Sequence, residues 1–196
     1  MTTTTASPLK VRIDNVRIAF PNLYKGTQFQ GQGSFRCGAQ FILPPDHPQF
    51  AQVQKLIDLA GQTKFKDKWA AAKKAATAKD KVCLRDGDSK AKWEGFAGNY
   101  ILSANCPGGE TEEACKKPKV YDAQRKQVER DTGLIYSGCY VNALVEFYGD
   151  SRFGEAVNCS LLGVQFHKDG DAFAGSSAKD DDFEAATEGA GGEDFL

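Results

Sequence analysis

Few side chains in this chain are placed for covalent chemistry. His47 lies between prolines ahead of an apolar periodic stretch, and His167 precedes Asp169-Gly170-Asp171. Neither spacing is that of a metalloprotease helix, a zinc deaminase or a nucleophile-base-acid triad. There is no P-loop and no G-x-G-x-x-G following a strand. Asp86-Gly87-Asp88 and Asp169-Gly170-Asp171 carry paired acids, but Asp-Gly is also the ordinary content of a tight turn, and we read both as turns. The six cysteines, Cys37, Cys83, Cys106, Cys115, Cys139 and Cys159, contain no CxxC pair, and four of them sit in apolar or strand-like runs. That pattern predicts buried reduced thiols rather than a zinc site. Cys106 and Cys115 flank a Pro-Gly-Gly loop and could pair or hold a metal in an oxidising setting, although no further ligands lie nearby. Asn158-Cys159-Ser160 fits the glycosylation pattern only formally, because it falls inside a strand-like run. We therefore expect no metal, no cofactor, no catalytic residue and no enzymatic activity.

A different chemistry is better supplied. Unpaired nucleotides are held by neutralising phosphates and stacking bases, which requires cations beside aromatic rings on one surface. The candidates are Tyr24 and Phe29 in a glycine-rich stretch, Arg36 on a polar strand face, Arg85, the pair Lys92-Trp93, Tyr100, Lys119 and Tyr121 with Arg125 and Lys126 just after, and Tyr140. A strand tyrosine more often packs than stacks, so the set carries weight only in combination.

The elements that must position these residues are mostly strands. Residues 9–20 pair Val11 with Ile13 and Val16 with Ile18 around an Asp-Asn break, which predicts a long strand with a bulge. Residues 34–42 alternate, with Phe35, Cys37, Ala39 and Phe41 on one face. Between them, 21–33 is expected to be a polar loop. Asp46 or His47 is expected to cap a helix that Pro48 starts, that Phe50, Val53, Leu56, Ile57 and Ala60 line, and that Gly61 ends. A second helix is expected from about Phe65 to Ala78, with Phe65, Trp69, Ala72 and Ala76 as a packing stripe and its lysines solvated. From Val82 onward, short apolar runs bounded by Gly, Asp, Asn or Pro bring the total to six or seven strands. The fold class is mainly β, a small closed barrel with a helical insertion at about 48–79.

Charge divides the chain. Residues 1–168 hold 24 Lys and Arg against 17 Asp and Glu, whereas 169–196 hold one Lys against nine acids. The stretch after Phe173 lacks apolar periodicity and is rich in Gly, Ala and acids, so 174–196 is expected to be a disordered acidic tail, with 1–8 a flexible N-terminus and 9–173 the single folded domain. In the tail, Asp180, Asp181 and Asp182 precede Phe183, and Glu193 and Asp194 precede Phe195 and Leu196. Such acidic, aromatic-ended peptides suit a partner with a basic rim around an apolar pocket. No run of membrane-spanning length and no secretion signal are found, so we expect a soluble intracellular protein.

Several blocks in fixed order, VRIAFPNLY, FILPPDHPQ, LRDGDSK, GNYILSAN with PKVYD, YSGCYVNALVEFY and LLGVQFHKDGDAF, resemble the bacteriophage single-stranded DNA-binding protein family of the OB fold across about residues 9–173. The resemblance implies an OB barrel that coats single-stranded DNA in phage replication, recombination or repair, in the cytoplasm of the infected host, without catalysis. It also implies that the tail recruits a polymerase, helicase or nuclease. The charge division suggests in addition that the tail competes for the DNA groove. A homodimer is compatible with the sequence. A recombination mediator or strand-annealing protein and a nucleic-acid-processing enzyme stand as alternatives.

Overall fold

The computed structural model describes residues 7–29, 31–152 and 154–173. Seven strands and two helices make up the body: β1 (Lys10–Phe29), β2 (Gln32–Leu43), α1 (Phe50–Phe65), α2 (Lys68–Ala78), β3 (Leu84–Asp86), β4 (Tyr100–Asn105), β5 (Lys119–Tyr121), β6 (Tyr140–Asp150) and β7 (Ala156–Lys168). The sheet order is β3-β4-β2-β1-β6-β7-β5. A parallel bridge between Asn105 of β4 and Ser160 of β7 turns the central five strands into a closed barrel, which is the OB-type architecture. Closure follows from the alternation in the strands. In β6 the residues Val141, Ala143, Val145 and Phe147 point inward and are fully buried, and they meet Ile13, Ile18, Phe41 and Leu102 from the neighbouring strands.

The expected bulge in β1 falls between Ile13 and Val16, with Asn15 at φ 52°. A bulge strips backbone groups of ladder partners. Gln49 supplies two of them, accepting the Asp14 N–H at 2.8 Å and donating to the Arg12 carbonyl at 2.8 Å. Asn142 accepts the Asn15 N–H at 3.0 Å.

Three sequence expectations are corrected. Within 21–33, residues 21–29 and 32–33 are strand and not loop: β1 continues to Phe29 and pairs with β2 through Asn22, Thr27 and Phe29, because buried Leu23 anchors an otherwise polar strand. Asp46 and His47 do not cap α1; Gln49 occupies that position, and the His47 ring instead takes the Gln49 N–H on Nδ1 and reaches the Asp14 carbonyl with Nε2. Gly61 does not end α1, which runs on to Phe65 and breaks at Lys66, φ 53°. Gly61 is there because a Cβ at that point would run into the Trp69 indole of α2. Trp69 is buried against that bare spot and stacks on Phe65 at 5.8 Å, and its Nε1 donates to Asp58. The α2 stripe is a packing face, although α2 begins at Lys68 rather than Phe65.

All six cysteines are free and buried. Cys115 faces Cys37, with sulfurs 3.7 Å apart, rather than Cys106. That separation is a thiol contact, well beyond a disulfide bond. Burial pushes the Cys37 and Cys106 thiols up to about 12, and the neighbouring Cys115 adds to both shifts. No helix of the described residues is long and apolar enough to cross a membrane.

Candidate nucleic-acid interface

Outward-facing residues of β2 and β4 form the floor of a trough. One stretch, about 820 Å³, is lined by Ser34, Arg36, Arg85, Asn105, Tyr148 and Arg152 among others. It runs into a neighbouring depression of about 650 Å³ through the shared residues Ser34, Arg36, Arg85, Ser103 and Asn105, and that depression adds Phe20 and Lys90. Arg36 stands in the middle, on the polar face of β2 and opposite Thr27 of β1. Among the described residues it has no carboxylate partner, so its charge is available to a ligand. Arg85 gives hydrogen bonds to the Asp80 and Val82 carbonyls at 2.8 and 3.4 Å, which fix its pose without neutralising it.

Exposed aromatic rings mark both ends. The exposed large apolar side chains among the described residues are Phe20, Leu59, Trp93 and Tyr148; Phe20 and Tyr148 line the trough, and Trp93 lies against Phe20. At one end the Trp93 ring meets Phe20 edge-on at 5.1 Å, and the Lys92 ammonium lies 5.3 Å from the indole. Phe20 turns outward because β1 shifts register between Ala19 and Asn22, with Phe20 at φ 50°. Tyr148 stands at the other end, in outward phase on β6. Burial and the nearby Asp150 raise its hydroxyl above the ordinary value, so it stays neutral at physiological pH.

The trough is not uniformly cationic. Glu146 and Asp150 also line it. Asp150 is clamped by Arg152 at 2.7 Å, and the hydrogen bonds from Arg152 hold its carboxyl down at about 2. This pair is internally neutral. The cations of the trough without a carboxylate partner among the described residues are Arg36, Arg85 and Lys90.

The residues expected from the sequence separate into groups. Arg36, Arg85, Lys92 and Trp93 belong to the trough or its aromatic end. Lys119, Tyr121 and Arg125 sit together elsewhere, with Lys10 and Arg12, around an apolar floor of Leu144, Leu162 and Val164 in a hollow of about 590 Å³. Tyr140 does not line the trough: its ring is flanked by Lys168 at 4.5 Å and Arg17 at 5.8 Å. Tyr100 packs on Phe50 at 4.8 Å, and half-buried Tyr24 leans on the core. Lys126 belongs to a turn whose Asp122 carboxylate accepts its backbone N–H. The Phe29 side chain and all eight tail residues, Asp180 to Phe183 and Glu193 to Leu196, lie outside the described atoms. Phe20, Lys90, Tyr148 and Arg152 escaped the sequence reading. Tyr148 was legible from strand phase, whereas Phe20 depends on a register shift that no local pattern announces.

Comparison with known proteins decides the family. The profile of the family described as "Enterobacter phage Enc34, ssDNA-binding protein" matches residues 9–196. This chain belongs to that family. A protein called p50 from Acyrthosiphon pisum secondary endosymbiont phage 1 is 39% identical over 170 residues, covering 85% of this chain and 88% of p50. Among solved structures, the bacteriophage Enc34 single-stranded DNA-binding protein in complex with ssDNA is similar with a TM-score of 0.67 and 21% identity, over 84% of this chain and 89% of that one. Bacteriophage T7 gp2.5, a single-stranded DNA-binding protein, is similar with a TM-score of 0.54 and 14% identity, over 95% and 98% of the two chains. At those identities the solved structures establish the shared barrel, and the family profile and p50 establish kinship.

Proposed function

We propose that this chain binds single-stranded DNA without regard to sequence, along the trough, in phage DNA replication, recombination or repair within the infected cell. The observation that carries the reading is a set of three cations without carboxylate partners among the described residues, Arg36, Arg85 and Lys90, on one continuous surface whose ends present Phe20 with Trp93 and Tyr148. Cations spaced along a backbone path with rings at its ends suit any unpaired sequence, because every base has a face to stack and every nucleotide a phosphate. Family membership supports the same reading, as does the likeness to the Enc34 protein, whose structure was solved in complex with ssDNA. The protein acts by binding rather than by catalysis. The acidic end, through Asp180, Asp181, Asp182, Glu193 and Asp194, occupies the cations of the body when DNA is absent, and with Phe183, Phe195 and Leu196 is released to replication proteins when the trough fills.

Titration with poly-dT and with duplex DNA of equal length, over a range of salt, tests the proposal. A clear preference for poly-dT at moderate salt is expected. Equal affinity for the two would remove it. The cationic hollow around Lys119 and Arg125 favours a second reading, in which another strand rests there and the protein anneals complementary strands. Annealing that survives Lys119→Gln with Arg125→Gln would exclude that reading.

A further inference from the structure

We infer that the strap of residues 169–173, with Phe173 as its wedge, positions the Phe20–Trp93 end of the trough, so that Phe173 and Arg17 are positioning residues for DNA binding. The inference rests on the reading of the trough as a single-strand site.

Trp93 is carried on the loop between β3 and β4. That loop is braced internally: the Gly87 N–H reaches the Asn99 carbonyl at 2.8 Å, and the Asp88 carboxylate accepts the Gly98 N–H at 2.7 Å. These bonds fix the loop's shape but not its seat on the barrel. The seat is a small apolar cluster separate from the main core, made of Ala19, Ile42, Phe96 and Ile101, and Phe173 packs against it. Gly95 lies over this contact in the left-handed region, φ 79°, and even a Cβ there would come within 3.0 Å of both Ile42 and the Phe173 ring. The loop thus rides directly on Phe173.

The strap itself is strongly held. Arg17 donates to the Asp171 carbonyl at 2.6 Å and to the Gly138 carbonyl at 3.0 Å, and its guanidinium covers the Phe173 ring at 4.3 Å. The Tyr136 hydroxyl donates to Asp169 at 2.9 Å. Ser137 joins strap and platform: its carbonyl accepts the Phe173 N–H at 3.0 Å, while its hydroxyl oxygen accepts the Phe20 N–H at 3.1 Å. Both rings of the aromatic pair are therefore referred to the same strap, Phe20 through Ser137 and Trp93 through Gly95 and Phe96. Arg17 directs its donors to carbonyls and its face to a ring, so it acts here as a clamp.

The test compares full-length protein with Phe173→Ala, Phe173→Leu and Arg17→Gln. Of the two tryptophans, Trp69 is 1% exposed and Trp93 is 42% exposed, so acrylamide quenching of the free protein reports Trp93. Phe173→Ala and Arg17→Gln are expected to change that quenching and to weaken poly-dT binding by about tenfold, the equivalent of one stacked base. The slope of log affinity against log salt should stay constant in the Phe173 variants, because no cation is lost. Phe173→Leu should restore most of the affinity. Wild-type quenching and affinity in Phe173→Ala would overturn the inference, as would a loss of affinity in which the salt slope falls too. If Phe173→Ala does not fold, Arg17→Gln and Phe173→Leu decide the matter by the same two readouts. Failure of the wild-type protein to bind poly-dT would instead refute the proposed function, and the quenching comparison would still judge the strap.

Discussion

Replacing Arg36 and Arg85 together by glutamine probes the trough most directly. Glutamine keeps part of each aliphatic stem while both charges go. Neither arginine is compensated by a carboxylate among the described residues, so each should neutralise one phosphate. For single strands the slope of log affinity against log salt is about −0.7 per phosphate contact, so the double variant should flatten it by about 1.4. Across a fourfold rise in salt, wild type would then lose about sevenfold more affinity than the variant. Arg152→Gln supplies the contrast. Arg152 is already committed to Asp150, so its removal should change the slope by much less, yet weaken binding at low salt by leaving the Asp150 carboxylate bare in the trough. The assay is fluorescence titration with poly-dT at a series of sodium chloride concentrations. An unchanged slope in the double variant, or a larger slope change in Arg152→Gln, would refute the assignment of the phosphate path.

Trp93→Ala should cost about 1–3 kcal/mol of poly-dT binding while leaving the urea midpoint nearly unmoved, since the ring is exposed; Tyr100→Ala should do the reverse, because its ring packs on Phe50. Gly61→Ala should lower stability by about 1–3 kcal/mol despite the better helix propensity of alanine, because the new methyl overlaps the Trp69 ring; a stabilised variant by urea unfolding would contradict that packing. Cys37 and Cys106 have folded-state values raised to about 12 from an ordinary 9.0, so their contribution to stability is complete below about pH 9 and is lost as pH rises toward 12. Urea midpoints at about pH 7, 9.5 and 11 should fall in that order, and Cys106→Ala should lessen the fall.

Strand phase was legible where one face of a strand is buried. The alternation in residues 34–42 named the inward residues Cys37, Ala39 and Phe41 correctly, because a side-chain period of two is a property of the extended backbone itself. The same logic failed over 21–33, where Leu23 and Gly26 are the buried positions among mostly polar residues and their spacing of three gives no alternation to read. Gly61 misled for a related reason: glycine as a helix terminator and glycine as a bare spot for an indole look the same in one dimension.

For the trough, composition and order of residues established that the body is basic, that aromatics accompany its cations, and that barrel strands carry them. Which cations and rings share a surface was decided only in three dimensions. Arg36 and Arg85 meet because β2 and β3 both pair with β4, whereas Lys119, Tyr121 and Arg125 are carried to another hollow because β5 pairs with β7. Local sequence sets which way a side chain faces. Strand order and closure set what it faces, because a barrel brings together residues far apart in the chain through pairings that no short segment encodes.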